Sequence, residues 1–141
     1  MNRDVLNNLS TLVNVELAIF GEKFNPEELT KELNLKPTIT YKKGDFIKGN
    51  PLFIRQETSW SIETGYEESL NAEEVVKKLI SIVELKKNEI IALKSKHNLE
   101  CKLYIVVNIE DNDVPSLHLD QPTIGFINSI GAEIEVCLYL V

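Results

Sequence analysis

The sequence is poor in the residue types that carry chemistry. Only two of its 141 residues are histidine, His97 and His118, and only two are cysteine, Cys101 and Cys137. Nucleophilic catalysis needs a nucleophile, a base and an orienting group within hydrogen-bond reach. Neither histidine stands in a spacing that supplies them, so no catalytic residue is assigned. No His, Cys or carboxylate cluster has metal-ligand spacing. Glu110-Asp111-Asn112-Asp113 resembles the start of a calcium loop but lacks its Gly at position six and its Glu at position twelve. Six glycines are too few and too scattered for a phosphate-cradling loop, and Lys42-Lys43-Gly44-Asp45 falls short of one. No metal or cofactor is expected.

Positive charge is also in deficit, with 15 basic against 22 acidic residues and a net charge of −7. Such a surface repels phosphate backbones and anionic lipid and attracts a basic protein. No stretch approaches the ~18 apolar residues of a membrane span, and no apolar leader core follows Met1-Asn2-Arg3-Asp4. A cytoplasmic address is expected, with neither a nucleic-acid nor a membrane partner.

What the chain does carry is alternation. Leu99, Cys101, Leu103, Ile105, Val107 and Ile109 are apolar at every second position, a half-buried β-strand. Val13, Val15, Leu17 and Ile19 predict another strand, Phe53–Glu63 a third, and Ile134, Val136, Leu138 and Leu140 the last. Cys101 and Cys137 then point to opposite sheet faces, beyond disulfide geometry, and read as free thiols. Asn25-Pro26-Glu27-Glu28 is a helix start, with Asn as N-cap and Pro at the first helical position. That helix runs to about Leu35. A second start at Asn71 opens a helix with Val75, Val76, Leu79, Ile80 and Val83 on one face, and a phase break near residues 85–88 makes a helix pair, with one long helix to His97 as the alternative. Asp120 or Gln121 caps a further helix, closed by Gly131. Residues 38–51 read as a loop or loose hairpin.

These elements predict one α+β domain over 1–141, with residues 1–10 a loosely ordered N-terminal segment. Its sheet is mainly antiparallel, of four to five strands with helices on one face, ferredoxin-like with a helical-pair insertion. An uncovered strand edge would allow a homodimer.

Phe24-Asn25-Pro26-Glu27-Glu28-Leu29-Thr30, followed by Lys43-Gly44-Asp45, Trp60 and Ile130-Gly131-Ala132-Glu133-Ile134-Glu135-Val136, resembles a bacterial family catalogued only as domain of unknown function 4279. The resemblance spans about Val13 to Tyr139 and implies an α+β fold, with no activity attached.

Five residues are candidates for binding a ligand or partner: Tyr41, Lys43, Asp45, Trp60 and His118. Asp45 beside Gly44 reads as a turn residue bonding its own backbone, or with Lys43 as an anion or partner site. Trp60 shares a face with Ile54 and Ile62 and reads as core; beside Tyr41 it would floor a groove. The expected function is a non-enzymatic protein-interaction module, immunity-like or an accessory subunit. A small-molecule site in a groove near residues 38–51 is the alternative. An enzyme built on His118 and a carboxylate is a third reading.

Overall fold

The structure, a computed structural model, describes residues 10–141. The expected loose N-terminal segment lies outside the described residues, apart from Ser10. In chain order the elements are β1 (Leu12–Gly21), α1 (Pro26–Leu33), β2 (Ile39–Tyr41), β3 (Phe46–Ile47), β4 (Asn50–Ile54), β5 (Thr58–Glu63) and β6 (Glu67–Glu68). There follow α2 (Ala72–Val83), a 3-10 turn (Glu84–Lys86), α3 (Lys87–His97), β7 (Glu100–Ile109), α4 (Gln121–Ser129) and β8 (Ala132–Leu140). The structure has the helix pair with its break rather than one long helix, and Asp120 rather than Gln121 as the cap of α4. Helix α1 stops short of Leu35 because Asn34 takes a left-handed conformation (φ 50°), which ends the turn.

The main sheet runs β2-β5-β1-β7-β8, with β6 also pairing β1, so it has six strands. Every pairing is antiparallel except β7 with β8, which is parallel over nine residue pairs. The sheet is therefore mixed rather than antiparallel throughout. The physical reason is the connection: β7 returns to β8 through the crossover helix α4, which brings the chain back to start β8 beside the start of β7. The ferredoxin-like expectation needs a further strand between the two strands of each strand–helix–strand half. Here β1 lies directly beside β5 and β7 directly beside β8. The expected strand 53–63 is broken as well, because β4 belongs to a separate two-stranded sheet with β3.

One face of the sheet holds the core. Val13, Val15, Leu17 and Ile19 of β1 lie beside Cys101, Leu103, Ile105 and Val107 of β7, all buried beneath the helices. From above, α2 contributes Val75, Val76, Leu79 and Val83, while α1 contributes Leu29 and Leu33. Trp60 is fully buried on the same face, opposite Ile19. Its indole N–H would be costly to bury alone. It donates to Thr30 Oγ1 on α1 at 2.9 Å, which pins that helix to the sheet. The thiols are free and on opposite faces, as expected. Burial pushes the Cys101 thiol up to about 11.

Two ends of α4 are tied down by other elements. Asp120 accepts from Thr123 N (3.0 Å) and pairs with Lys77 of α2 (2.7 Å). At the other end Gly131 takes φ 65°, and Lys94 of α3 donates to the Ile130 carbonyl at 2.7 Å.

Two outcomes follow from this packing. Thr30→Val removes the acceptor of a buried N–H and should cost about 1–3 kcal/mol in urea unfolding, with the fold retained. The Lys77 ammonium and the bonds from Thr123 hold the Asp120 carboxyl well below its usual 3.8. A depressed folded value gives stability that is complete above the unfolded value and lost as pH falls below about 4. Asp120→Asn should therefore flatten the loss of Tm between about pH 4 and pH 2, relative to the unsubstituted chain.

Candidate functional site

The β2–β5 pairing does not end at the sheet. Beyond Tyr41, Gly44 N donates to the Arg55 carbonyl (2.9 Å) and Arg55 N to the Asp45 carbonyl (2.8 Å). Phe46 then pairs with Ile54, and Ile47 with Asn50. Lys48 and Gly49 close the tip with φ of 52° and 73°. Positive φ at both residues of a two-residue loop is the signature of a type I′ turn, whose twist suits a hairpin. Residues 42–57 thus form an ordered arm that leaves the main sheet at its β2 and β5 edge.

The arm is apolar where a surface should be polar. Phe46, Leu52, Phe53 and Ile54 are 45 to 83 % exposed. It also carries Lys42, Lys43, Lys48 and Arg55 against Asp45 and Glu57, a local excess of two positive charges in a chain of net −7. At its root the Arg55 guanidinium stacks 4.0 Å over the Tyr41 ring.

A cleft of about 980 Å³ opens where the arm meets the connection from β1 to α1. Lys23, Lys42 and Lys43 line it with Glu22, Phe24, Asn25 and Thr58. Lys43 spans it, its ammonium 2.7 Å from Glu22 Oε1 and its backbone N–H bonded to Thr58 Oγ1 at 3.0 Å. That ammonium holds the Glu22 carboxyl below its usual value. Asn25 caps α1 by accepting from Glu27 N and is committed to that bond.

The five candidate residues do not converge. Lys43 lines the cleft and Tyr41 sits at the root of the arm. Asp45 accepts from Lys42 N at 2.8 Å, bonding the backbone of its own turn. Trp60 is core and does not line this cleft. His118 is exposed in the segment before α4, on a different part of the chain's surface. His97 is the last residue of α3, and its Nε2 is 3.5 Å from Glu28 Oε2, beyond a well-formed hydrogen bond. Among the described residues no group of three or more His, Cys, Asp or Glu could hold a metal. None of the described helices is long and apolar enough to cross a membrane.

Sequence reading missed Phe46, Leu52, Phe53 and Ile54 as surface residues. Their signal was present: short apolar runs either side of Gly49-Asn50-Pro51, each too brief to be a core strand.

Fold and site together define a mixed-sheet α+β protein with a projecting apolar hairpin beside an open cleft. Residues 11–141 match the family described as domain of unknown function (DUF4279), and the chain belongs to that family. No curated protein and no solved structure matches it.

Because Asp45 closes the turn at the root of the arm, Asp45→Ala should loosen the arm alone. Amide exchange at Lys42, Gly44 and Arg55 should quicken by about fivefold, as loss of about 1 kcal/mol predicts. Core amides of β1 and β7 should be unchanged in the same exchange experiment.

Proposed function

We propose that this chain is a non-enzymatic protein-interaction module, acting as an immunity-like partner or an accessory subunit. The observation that carries the reading is the arm. An apolar patch held out on an ordered hairpin, away from the core, is the physical mark of an interaction surface. Its fixed turn means little ordering entropy is lost on docking. The partner that fits is a protein with an apolar groove rimmed by carboxylates, which would meet Lys42, Lys48 and Arg55.

The overall charge of −7 favours a basic partner instead. Such a partner suits the open face of the sheet, where Glu63 of β5 and Glu16 of β1 stand side by side and Glu135 of β8 lies in the same row beyond Tyr104 of β7. The local positive charge of the arm argues against seating it there. A second reading, a small anionic ligand beside Lys23, Lys42 and Phe24, is favoured by the cleft itself. The free thiols support a cytoplasmic address.

The test is capture from native lysate by the unsubstituted chain, by Leu52→Glu/Phe53→Glu and by Glu16→Gln/Glu63→Gln, read by mass spectrometry. A stoichiometric protein lost only with the arm variant supports the proposal. Loss only with the glutamine variant transfers the interface to the open face. Identical capture by all three overturns both surfaces.

A further inference from the structure

The two edges of the main sheet are built differently. At one edge β2 is three residues long and continues into the arm. At the other, β8 runs nine residues with its outer side unpaired among the described residues. Natural sheets blunt such an edge with proline, a bulge, a short strand, charged side chains or an inward-pointing charge. Of these β8 has only Glu133 and Glu135, both on its open face. It contains no proline, its register against β7 is unbroken, and its helix-side residues are Ile134, Val136, Leu138 and Leu140.

These four residues lie level with Leu103, Ile105, Val107 and Ile109, which are buried. They are themselves 39 to 82 % exposed, so the core's apolar row continues onto β8 and is left uncovered. Helix α4 extends the same patch. Thr123 and Ile127 face the core, and Pro122 and Phe126 line a hollow against α2. Helical spacing therefore turns the half-exposed Ile124 to the flank away from α2.

We propose that a second copy of this chain covers this edge, β8 pairing antiparallel with its own counterpart about a two-fold axis normal to the sheet. The edge is self-complementary, because such an axis sets the apolar row of one copy against that of the other. An axis at Cys137 sets Ile134 against Leu140 and Val136 against Leu138 on the helix side. On the open face it sets Glu135 against Tyr139. An axis at Val136 sets Ile134 against Leu138 and Glu133 against Tyr139. Neither register opposes two carboxylates, whereas an axis at Glu135 would put that residue against itself. The Glu135 charge is already matched within its own chain by Lys102 at 2.8 Å.

Pairing of two nine-residue edges with their flanking side chains would bury on the order of 1,000 Å² in total, at the lower bound for a specific interface. Backbone pairing along the whole strand supplies what area alone does not. Each copy carries −7, so association strengthens as salt screens the repulsion, the opposite of a partner held by charge. In the dimer the arms stand at the two far ends of one continuous sheet, free to bind.

Analytical ultracentrifugation from roughly 1 to 500 μM chain, at low and moderate salt, tests this, since that span covers weak dimers. The expected result is a species of twice the 16.0 kDa chain mass, favoured by salt. Leu138→Lys/Leu140→Lys should weaken it by about 100-fold or more with circular dichroism unchanged, because both side chains are exposed in the monomer. A short bis-maleimide, applied to the unsubstituted chain, should join Cys137 to Cys137. Cys101 is buried and cannot substitute for it. A monomer at every concentration and salt overturns the proposal. A dimer that yields no Cys137 cross-link overturns it too, whatever the lysine variant does.

Discussion

The structure depends on the register of β7 between β1 and β8. Nine residue pairs join β7 to each neighbour. Side chains alternate with a period of two, so a slip of one residue on either side would turn a whole apolar row out of the core. Cys101, Leu103, Ile105, Val107 and Ile109 all face the helices, which leaves one register that buries them. Once it is set, β1 presents Val15, Leu17 and Ile19 beside them, and the buried stripe of α2 has a surface to cover. The Trp60–Thr30 bond then adds α1 to the same layer. Both surfaces with proposed roles lie at the margins of this arrangement, where the helix layer runs out.

Those margins differ in kind. At the β2 and β5 edge the chain leaves the sheet, makes a hairpin of its own and returns, so its apolar side chains have no layer to pack against. At the β8 edge the strand is fully paired on one side, but α4 is a single helix of nine residues and covers only part of the row beneath it. Uncovered apolar surface at both places is a consequence of having four helices over a six-stranded sheet, with two of the helices, α1 and α3, packed on each other. An acidic remainder makes copies of such a molecule repel one another, and the two proposed attachment points are a locally basic arm and an edge whose Glu135 is paired with Lys102.

The candidate site illustrates how residue type and position separate. Trp60, Lys43 and Asp45 are chemically suited to a ligand groove, and each is occupied otherwise. The indole is spent on Thr30, the ammonium on Glu22 and the carboxylate on the backbone of its turn. None of these partners lies close by in sequence except the last. Asp45 bonding Lys42 is a local geometry that turn chemistry anticipates. Glu22 lies 21 residues from Lys43 and Thr30 lies 30 from Trp60, separations that a one-dimensional pattern cannot connect.

The sequence by itself determined the longer elements. Alternation marked β1, β7 and β8, Asn25, Asn71 and the Asp120-Gln121 pair marked three helix starts, and Gly131 marked a helix end, because each of these signals is local and acts within a turn or a strand. It also placed Cys101 within the apolar row of β7 and Cys137 outside that of β8, since period two alone decides this. Only the tertiary structure decided that β8 lies parallel to β7, that β4 leaves the main sheet, and that the apolar rows of β8 and the arm stay exposed. Those outcomes rest on which strands become neighbours and how far the helix layer reaches. An alternating strand reads the same whether a helix covers it or not, so burial is a property of the assembly and is not written in the strand.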